Sequence, residues 1–290
     1  MSLTLLIPGK YNNLILYAFL MAWIFTFFWI PINYLYFNHS GKETNALDSS
    51  FYMTTFALVS IIMPPLGALI IKYWGFHRLY LIAAVLFLIP ILVVRKYIPK
   101  QVISAPFWSS VKNFSMLKTL TFFEGGLGFM RDVIIPVYAL IFLQNEFQFG
   151  WFFSYLGLIG FIMAFIISYY SDKQQKRRSY IYFLFSLLFL SILSLAFIQQ
   201  KTYWIIAVGI FIIINTISLP LRLAITLDAK KADLGFWKVR EFFLNLGRFC
   251  TLTISIILFY YQKYWIVFLL FAVMAFIYPF LMRYKLREIN

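Results

Sequence analysis

Long, nearly unbroken apolar runs constrain this chain more than any other feature of its sequence. About 20 predominantly apolar residues in a helix cross the hydrocarbon core of a bilayer, whereas a barrel strand needs only about 10 and alternates in polarity. Nine runs of the helical length are separated by polar segments, and the sequence therefore predicts an all-α polytopic membrane protein. The predicted spans are 14–37, 51–72, 78–96, 119–143, 150–171, 179–199, 203–222, 242–261 and 264–283.

Composition excludes most other classes of protein. Hydrophobic residues make up 63% of the 290 positions and charged residues 12%, against about 45–50% and about 25% in soluble globular chains. So few polar residues cannot cover a water-soluble globule, which excludes a soluble enzyme, a nucleic-acid-binding protein and a disordered linker. The net charge of +15 is instead expected of loops that flank membrane spans.

The distribution of Lys and Arg orients the predicted spans. Seventeen of the 25 cations fall in the loops after the first, third, fifth and seventh spans and in the C-terminal tail, and five fall on the opposite side. Lys238 and Arg240 are counted in the loop before the eighth span. Because cytoplasmic loops carry the excess of cations, we expect an integral protein of the cell membrane with its C-terminus in the cytoplasm and its N-terminus outside.

The longest loop divides the spans into two blocks. Residues 97–118 contain two prolines and several cations, and they are predicted to form a cytoplasmic linker, compatible with a short interfacial segment. Residues 1–96 then form a three-helix block, and residues 119–290 form a six-helix block.

The fourth predicted span contains three charged side chains, Glu124, Arg131 and Asp132. At about 100° per residue, Arg131 falls within about 20° of Glu124 on the helix surface, and Asp132 about 80° away. A charge at the centre of a bilayer costs about 2.5–3.5 kcal/mol on insertion scales, so such residues normally face the bundle interior. The glycines between them and the proline that follows are typical of interrupted helices at transport sites.

Further polar side chains lie in the seventh and eighth spans. Glu241, Asn245 and Arg248 are spaced at i, i+4 and i+7, which places them on one stripe of a helix. Asn215 lies near the middle of the seventh span. Two interpretations of these groups stay open: they contact a solute or a proton, or they form structural pairs that hold helices in register.

The sequence contains no motif of an enzyme or a cofactor site. It has no G-x-x-x-x-G-K-[ST] phosphate loop and no H-E-x-x-H motif. His39 and His77 fall on opposite sides of the predicted membrane, and Cys250 is the only cysteine. We therefore expect a protein with no enzymatic activity, no cofactor and no bound metal.

Three segments resemble the major facilitator superfamily of transporters. The fifth span ends in ISYYSDKQQKRRSY, which is similar to the family's loop signature G-x-L-a-D-r-x-G-r-k-r, with Asp172 and Lys173 at the D-r pair and Arg177 in the basic run. The stretch PPLGALIIKYWGFHRLY, from Pro64 to Tyr80, resembles the hairpin between the family's fifth and sixth helices. The segment DLGFWKVREFFLNLGRF resembles the start of its eleventh helix.

The resemblance implies a secondary active transporter that moves a small solute by alternating access, with protons as a candidate coupling ion. The nine spans would correspond to family helices four to twelve. Residues 1–96 would then be a remnant of the N-terminal lobe, and a further three-helix segment is missing or supplied separately. In the family the matching helices line a central cavity. The candidate substrate or proton-binding residues are accordingly Glu124, Arg131, Asp132, Asn215 and Arg248, with Glu124 or Asp132 as proton carrier.

The same resemblance implies a conformational latch and a set of partners. The latch candidates are Asp172, Lys173, Arg177 and Glu241, although the first three also fit an ordinary cation-rich loop. The expected partners are a small-molecule substrate and membrane lipid, and no nucleic acid. The alternative is a membrane protein that does not transport, or a fragment of a split transporter that acts as an assembly partner.

Overall fold

A computed structural model describes residues 25–37, 45–97, 105–115, 117–174, 177–230 and 232–287. All regular structure in these ranges is helical, which confirms the predicted all-α class. There are two short π-helices, π1 (Phe25–Trp29) and π2 (Met130–Ile134). The α-helices are α1 (Ile30–Phe37), α2 (Asn45–Tyr97), α3 (Phe107–Asn113), α4 (Lys118–Phe129), α5 (Ile135–Ala139), α6 (Glu146–Gln174), α7 (Arg177–Leu195), α8 (Lys201–Ala229), α9 (Leu234–Tyr260) and α10 (Tyr264–Arg287).

The helices follow the predicted spans. Four described segments are long and apolar enough to cross a membrane: Leu58–Leu86, Lys201–Ala229, Leu234–Tyr260 and Tyr264–Tyr284. The fourth predicted span is built from α4, π2 and α5 in series, and the fifth and sixth fall within or beside α6 and α7. Residues 14–24 of the first predicted span, 14–37, lie outside the described residues.

The eighth predicted span begins too late in the sequence. Helix α9 begins at Leu234, because Asp233 is its N-cap and its Oδ1 accepts a hydrogen bond of 2.7 Å from the Phe236 backbone N–H. An N-cap carboxylate satisfies one of the amides that the first turn leaves unbonded. Lys238 and Arg240 therefore lie on the helix and not in the preceding loop.

Gly75 divides α2 into two arms. It has φ 75° and ψ 170°, a backbone conformation that essentially only glycine adopts. A Cβ built on Gly67 would lie 3.9 Å from Leu79 Cδ1, although the two residues are twelve positions apart. The arms therefore run side by side, and the hairpin predicted for residues 64–80 is confirmed.

Helix α2 packs closely against α6 because α6 presents small residues to it. A Cβ on Gly150 would lie 3.0 Å from the Pro64 carbonyl oxygen, and one on Gly157 would lie 2.5 Å from Ser60 Oγ. Between these glycines, the Ser154 hydroxyl donates a hydrogen bond to the carbonyl of Ile61. Small residues let two helix backbones approach closely. This packing is important in a bilayer, because the hydrophobic effect does not drive helices together there.

Within the six-helix block, glycines join α4 to α9. A Cβ on Gly125 would collide with the Leu244 backbone, and one on Gly247 would collide with the Phe122 carbonyl. Helix α10 packs against both members of this pair, α7 packs against α10, and α8 packs against α7. Within the described residues, the three-helix block contacts the six-helix block through π1 and α1 against α9 and through α2 against α6 and α8.

The predicted linker contains the short helix α3, which docks on the beginning of α9. The ring centroids of Phe107 and Phe242 are 5.5 Å apart, and Lys238 Nζ donates a hydrogen bond of 3.3 Å to the Ala105 carbonyl. Trp108 on the opposite side is 80% exposed. This arrangement fits a segment that lies at a membrane interface, where tryptophan is enriched.

Candidate functional site

A cavity of about 200 Å³ lies where α2 meets the six-helix block. Its polar wall consists of Ser60 from α2 and of Arg131 and Asp132 from π2. The remaining wall comes from α5, α6 and α8, through Pro136, Phe153, Leu156, Gly157 and Ile212. Because both blocks contribute to the wall, a rotation of one block against the other would change the cavity directly.

Arg131 and Asp132 reach the cavity from an irregular piece of helix. Residues 130–134 form a π-helix, a form that is rare and is frequently found at functional sites. The side chains are 33% and 63% exposed, and Arg131 Nε lies 3.9 Å from Asp132 Oδ1. A contact of that length is a loose ion pair, so both charges remain accessible to a solute or to water.

Glu124 occupies a different environment from Arg131 and Asp132. Seven helical residues at about 1.5 Å each place Glu124 about 10 Å from Arg131 along the helix axis. Its Oε1 accepts a hydrogen bond of 2.6 Å from Arg240 Nη2, and the two side chains are 6% and 8% exposed. Glu124 therefore belongs to a buried ion pair with Arg240. Arg131 and Asp132 form a second pair, which faces the cavity.

Asn215 is bonded to an arginine of its own helix. Arg222 Nη2 donates a hydrogen bond of 3.1 Å to Asn215 Oδ1. Both residues are 1% exposed, and the Arg222 guanidinium carbon lies 5.6 Å from the centroid of the Phe185 ring. Neither side chain is among those that line the cavity described above.

The stripe predicted on the eighth span forms a hydrogen-bonded chain on α9. Arg248 Nη1 donates to Glu241 Oε1 at 3.1 Å and to Asn245 Oδ1 at 2.9 Å. Asn245 Nδ2 in turn donates to Glu241 Oε1 at 3.2 Å. Arg248 also lies within electrostatic reach of Asp132, so this chain connects the beginning of α9 to the charged side of the cavity.

The other latch candidates fall where α6 ends and α7 begins. Asp172 and Lys173 lie in the last turn of α6, and Arg177 is the first residue of α7. Their side chains are outside the described part of the structure. Their role as a latch remains a prediction from the resemblance.

Two buried charged residues, Arg222 and Arg240, were not among the site candidates predicted from the sequence. The sequence places Arg240 in a loop, because the helix that carries it begins eight residues before the predicted span, at Leu234. Asp233 was the signal that could have corrected this, since an aspartate before a long apolar helix is a typical N-cap. Arg222 is the last residue of the predicted seventh span, 203–222, and its hydrogen bond to Asn215 was not predicted.

No metal site is formed by His, Cys, Asp and Glu side chains within the described ranges. The described cavity wall offers one carboxylate and one guanidinium, which suit hydrogen bonding and proton exchange rather than metal binding. The geometry is therefore that of a small polar recess in an apolar helical bundle.

Comparison with known proteins identifies the family. A family model described as Major Facilitator Superfamily matches residues 1–233, about four fifths of the chain. None of the curated proteins compared matches the chain. The match includes the α2 hairpin, π2 and the loop between α6 and α7, and it agrees with the all-helical, apolar bundle. The chain is thus an integral membrane protein that belongs to the major facilitator superfamily of transporters.

Proposed function

We propose that this protein is a secondary active transporter that carries a small solute through the cavity between α2 and the six-helix block. The observation that carries the proposal is the position of Arg131 and Asp132, which face a cavity walled by both blocks. Charged side chains in membrane spans are costly, and they usually mark substrate or ion pathways. The C-terminus lies in the cytoplasm in this proposal, following the distribution of cations.

The mechanism is alternating access by movement of one block against the other. The α2–α6 contact consists of small residues, which allow two helices to slide or rock without separating large interlocked side chains. Pro136 and π2 interrupt the regular hydrogen bonding beside the cavity. Such interruptions supply the local flexibility that gating helices need.

Asp132 is the proton carrier in this mechanism, and Glu124 is not. A carrier must exchange its proton with the water or solute that enters the cavity, and Asp132, whose side chain is 63% exposed, is one of the residues that line the cavity. Glu124 is sealed against Arg240 and has no such route. Arg131 keeps the Asp132 carboxylate paired when it is ionised, and it offers a donor to the solute when Asp132 is protonated.

Uptake of an unbiased solute mixture tests the proposal. The purified protein is reconstituted in liposomes with an acidic exterior and incubated with a defined mixture of sugars, amino acids, organic acids and amines. Mass spectrometry of the lumen then identifies what has entered. We expect at least one solute to accumulate above the level in protein-free liposomes.

The variants Arg131→Gln and Asp132→Asn connect that uptake to the cavity. Arg131→Gln removes a charged donor to the solute, worth about 1.5–3 kcal/mol, and Asp132→Asn removes the proton carrier, so accumulation should fall about tenfold or more in each variant. Arg283→Gln, at an exposed position on α10, is the matched control and should retain uptake. Equal accumulation in wild type and both cavity variants, or no accumulation in wild type, would contradict the proposal.

A further inference from the structure

Three charged side chains lie together inside the six-helix block, and their charges do not cancel. Arg222 is 1% exposed, Glu124 6% and Arg240 7%. Glu124 is paired with Arg240, while Arg222 has no ion pair among the described residues. The group therefore carries one uncompensated positive charge.

Several donors around Arg222 have no hydrogen-bond partner. They are Arg222 Nε and Nη1 and the amide nitrogen of Asn215, all of them fully enclosed. Buried polar groups in native proteins are nearly always satisfied by protein, water or an ion. A guanidinium with two unused nitrogens is an unusually large exception.

Among the residues that the structure describes, the surroundings of Arg222 supply no second negative charge. The titratable groups within its electrostatic reach are Glu124, Tyr278 and Arg240. Tyr278 is stacked on Phe185 with ring centroids 4.4 Å apart, and Phe185 also covers the guanidinium. An uncompensated buried charge is strongly destabilising, so a compensating anion would relieve a real cost.

We propose that Arg222 and Asn215 bind a small monovalent inorganic anion, with chloride as the representative. The unused N–H groups of Arg222 and of the Asn215 amide are its donors, and its charge balances the group formed by Glu124, Arg222 and Arg240. The enclosure of all these side chains restricts the site to an ion and excludes a solute-sized molecule. The anion is a structural component of the six-helix block, separate from the cavity at Arg131 and Asp132.

Thermal unfolding in chloride and in gluconate tests the site. Gluconate keeps the ionic strength and is too large to enter an enclosed site. For the purified protein in detergent, saturating chloride should raise the unfolding midpoint by about 5 °C relative to gluconate, with a hyperbolic dependence on concentration. The same midpoint in both salts would overturn the proposal.

Two variants locate the effect. Arg222→Gln removes the charge and should abolish the difference between the two salts, whereas Arg283→Gln, an exposed arginine on α10, should retain it. Because Arg222→Gln could fail to fold, Asn215→Asp provides the independent test. It places a fixed carboxylate 3.1 Å from Arg222 Nη2 with almost no change in shape.

Asn215→Asp should be more stable than wild type in gluconate and should no longer respond to chloride. A variant that still gains about 5 °C from chloride would show that the anion binds elsewhere. A variant that is unfolded in gluconate would show that the region carries no excess positive charge. Either result would overturn the proposal.

Discussion

The role of each charged side chain in the bundle depends on whether water or a solute can reach it. Arg131 and Asp132 form a loose contact of 3.9 Å beside a cavity, whereas Glu124 and Arg240 form a short pair of 2.6 Å with almost no exposure. A sealed pair contributes to the fold and resists exchange of its proton. An accessible pair can change partners during a transport cycle, which is why the two carboxylates are assigned different roles.

The sealed pair predicts an asymmetry between two neutralising variants. Glu124→Gln leaves Arg222 and Arg240 both uncompensated and should destabilise the protein by about 3–5 kcal/mol. Arg240→Gln should cost less, because Arg222 remains within electrostatic reach of Glu124. Chemical denaturation in detergent at low salt measures both, and an equal or reversed order would show that Arg222 does not interact with Glu124.

The dependence of uptake on a pH gradient should distinguish the roles of Asp132 and Glu124. Asp132→Asn should remove the dependence of uptake on an acidic exterior while solute exchange without a pH gradient persists. In Glu124→Gln the surviving folded protein should keep that dependence, because Glu124 is enclosed by protein. The measurement is uptake with and without a pH gradient. Loss of the dependence in Glu124→Gln alone would assign the carrier to the sealed pair.

At the scale of elements, glycines determine how closely the helices approach. Gly125 and Gly247 each face a backbone carbonyl of the partner helix, Leu244 and Phe122 respectively. Neither α4 nor α9 can move away without exposing the ion pair that joins them, Glu124 to Arg240. The glycine contact and the ion pair therefore stabilise each other.

A small set of Gly→Ala variants tests this contact. Gly125→Ala and Gly247→Ala should each cost about 1–3 kcal/mol, because a methyl group overlaps with backbone atoms that cannot shift. Gly128→Ala is the control on the same helix. Its Cβ would meet nothing within 4 Å, and the substitution should be neutral or slightly stabilising. Similar unfolding midpoints for all three variants would refute the close packing of α4 on α9.

The α2 hairpin makes a parallel prediction. Gly75→Ala places a side chain at φ 75° and should cost about 1–3 kcal/mol. Gly67→Ala in the adjacent arm meets only an ordinary contact of 3.9 Å and should be tolerated. Thermal unfolding and the yield of protein inserted into membranes report the difference. A tolerated Gly75→Ala would mean that the turn does not depend on this residue.

Apolar runs and turn residues predict where the helices lie better than they predict which side chains pair between helices. The lengths of the apolar runs predicted the helices, and the resemblance of Pro64–Tyr80 to the family's hairpin predicted the turn in α2. The i, i+4, i+7 spacing of Glu241, Asn245 and Arg248 predicted that they share one stripe of a helix, and on that stripe they form a chain of hydrogen bonds. The pairing of Glu124 with Arg240 was not accessible in this way, because it joins residues 116 positions apart on different helices.

At the scale of the molecule, the cavity lies where the two blocks meet. Helix α2 supplies Ser60 to a wall that otherwise belongs to the six-helix block. The family match covers the three-helix block and the part of the six-helix block before α9, residues 1–233. If the blocks rock about this contact, the cavity opens to each side of the membrane in turn.

Accessibility of a single cysteine tests this central claim most directly. Ser60→Cys is made in a Cys250→Ser background, so that the new thiol is the only one in the chain. A membrane-impermeant maleimide is then applied to right-side-out and to inside-out vesicles. Phe276→Cys, at an exposed apolar position on α10, and Gln144→Cys, in the loop after α5, are the controls. Phe276→Cys should not react with the maleimide, and Gln144→Cys should react from one side of the membrane only.

We predict that Ser60→Cys reacts with the maleimide from both sides of the membrane. Adding Asp132→Asn to the same chain should change the ratio of labelling from the two sides. Reaction from one side under every condition, or no reaction from either side, would contradict alternating access through this cavity.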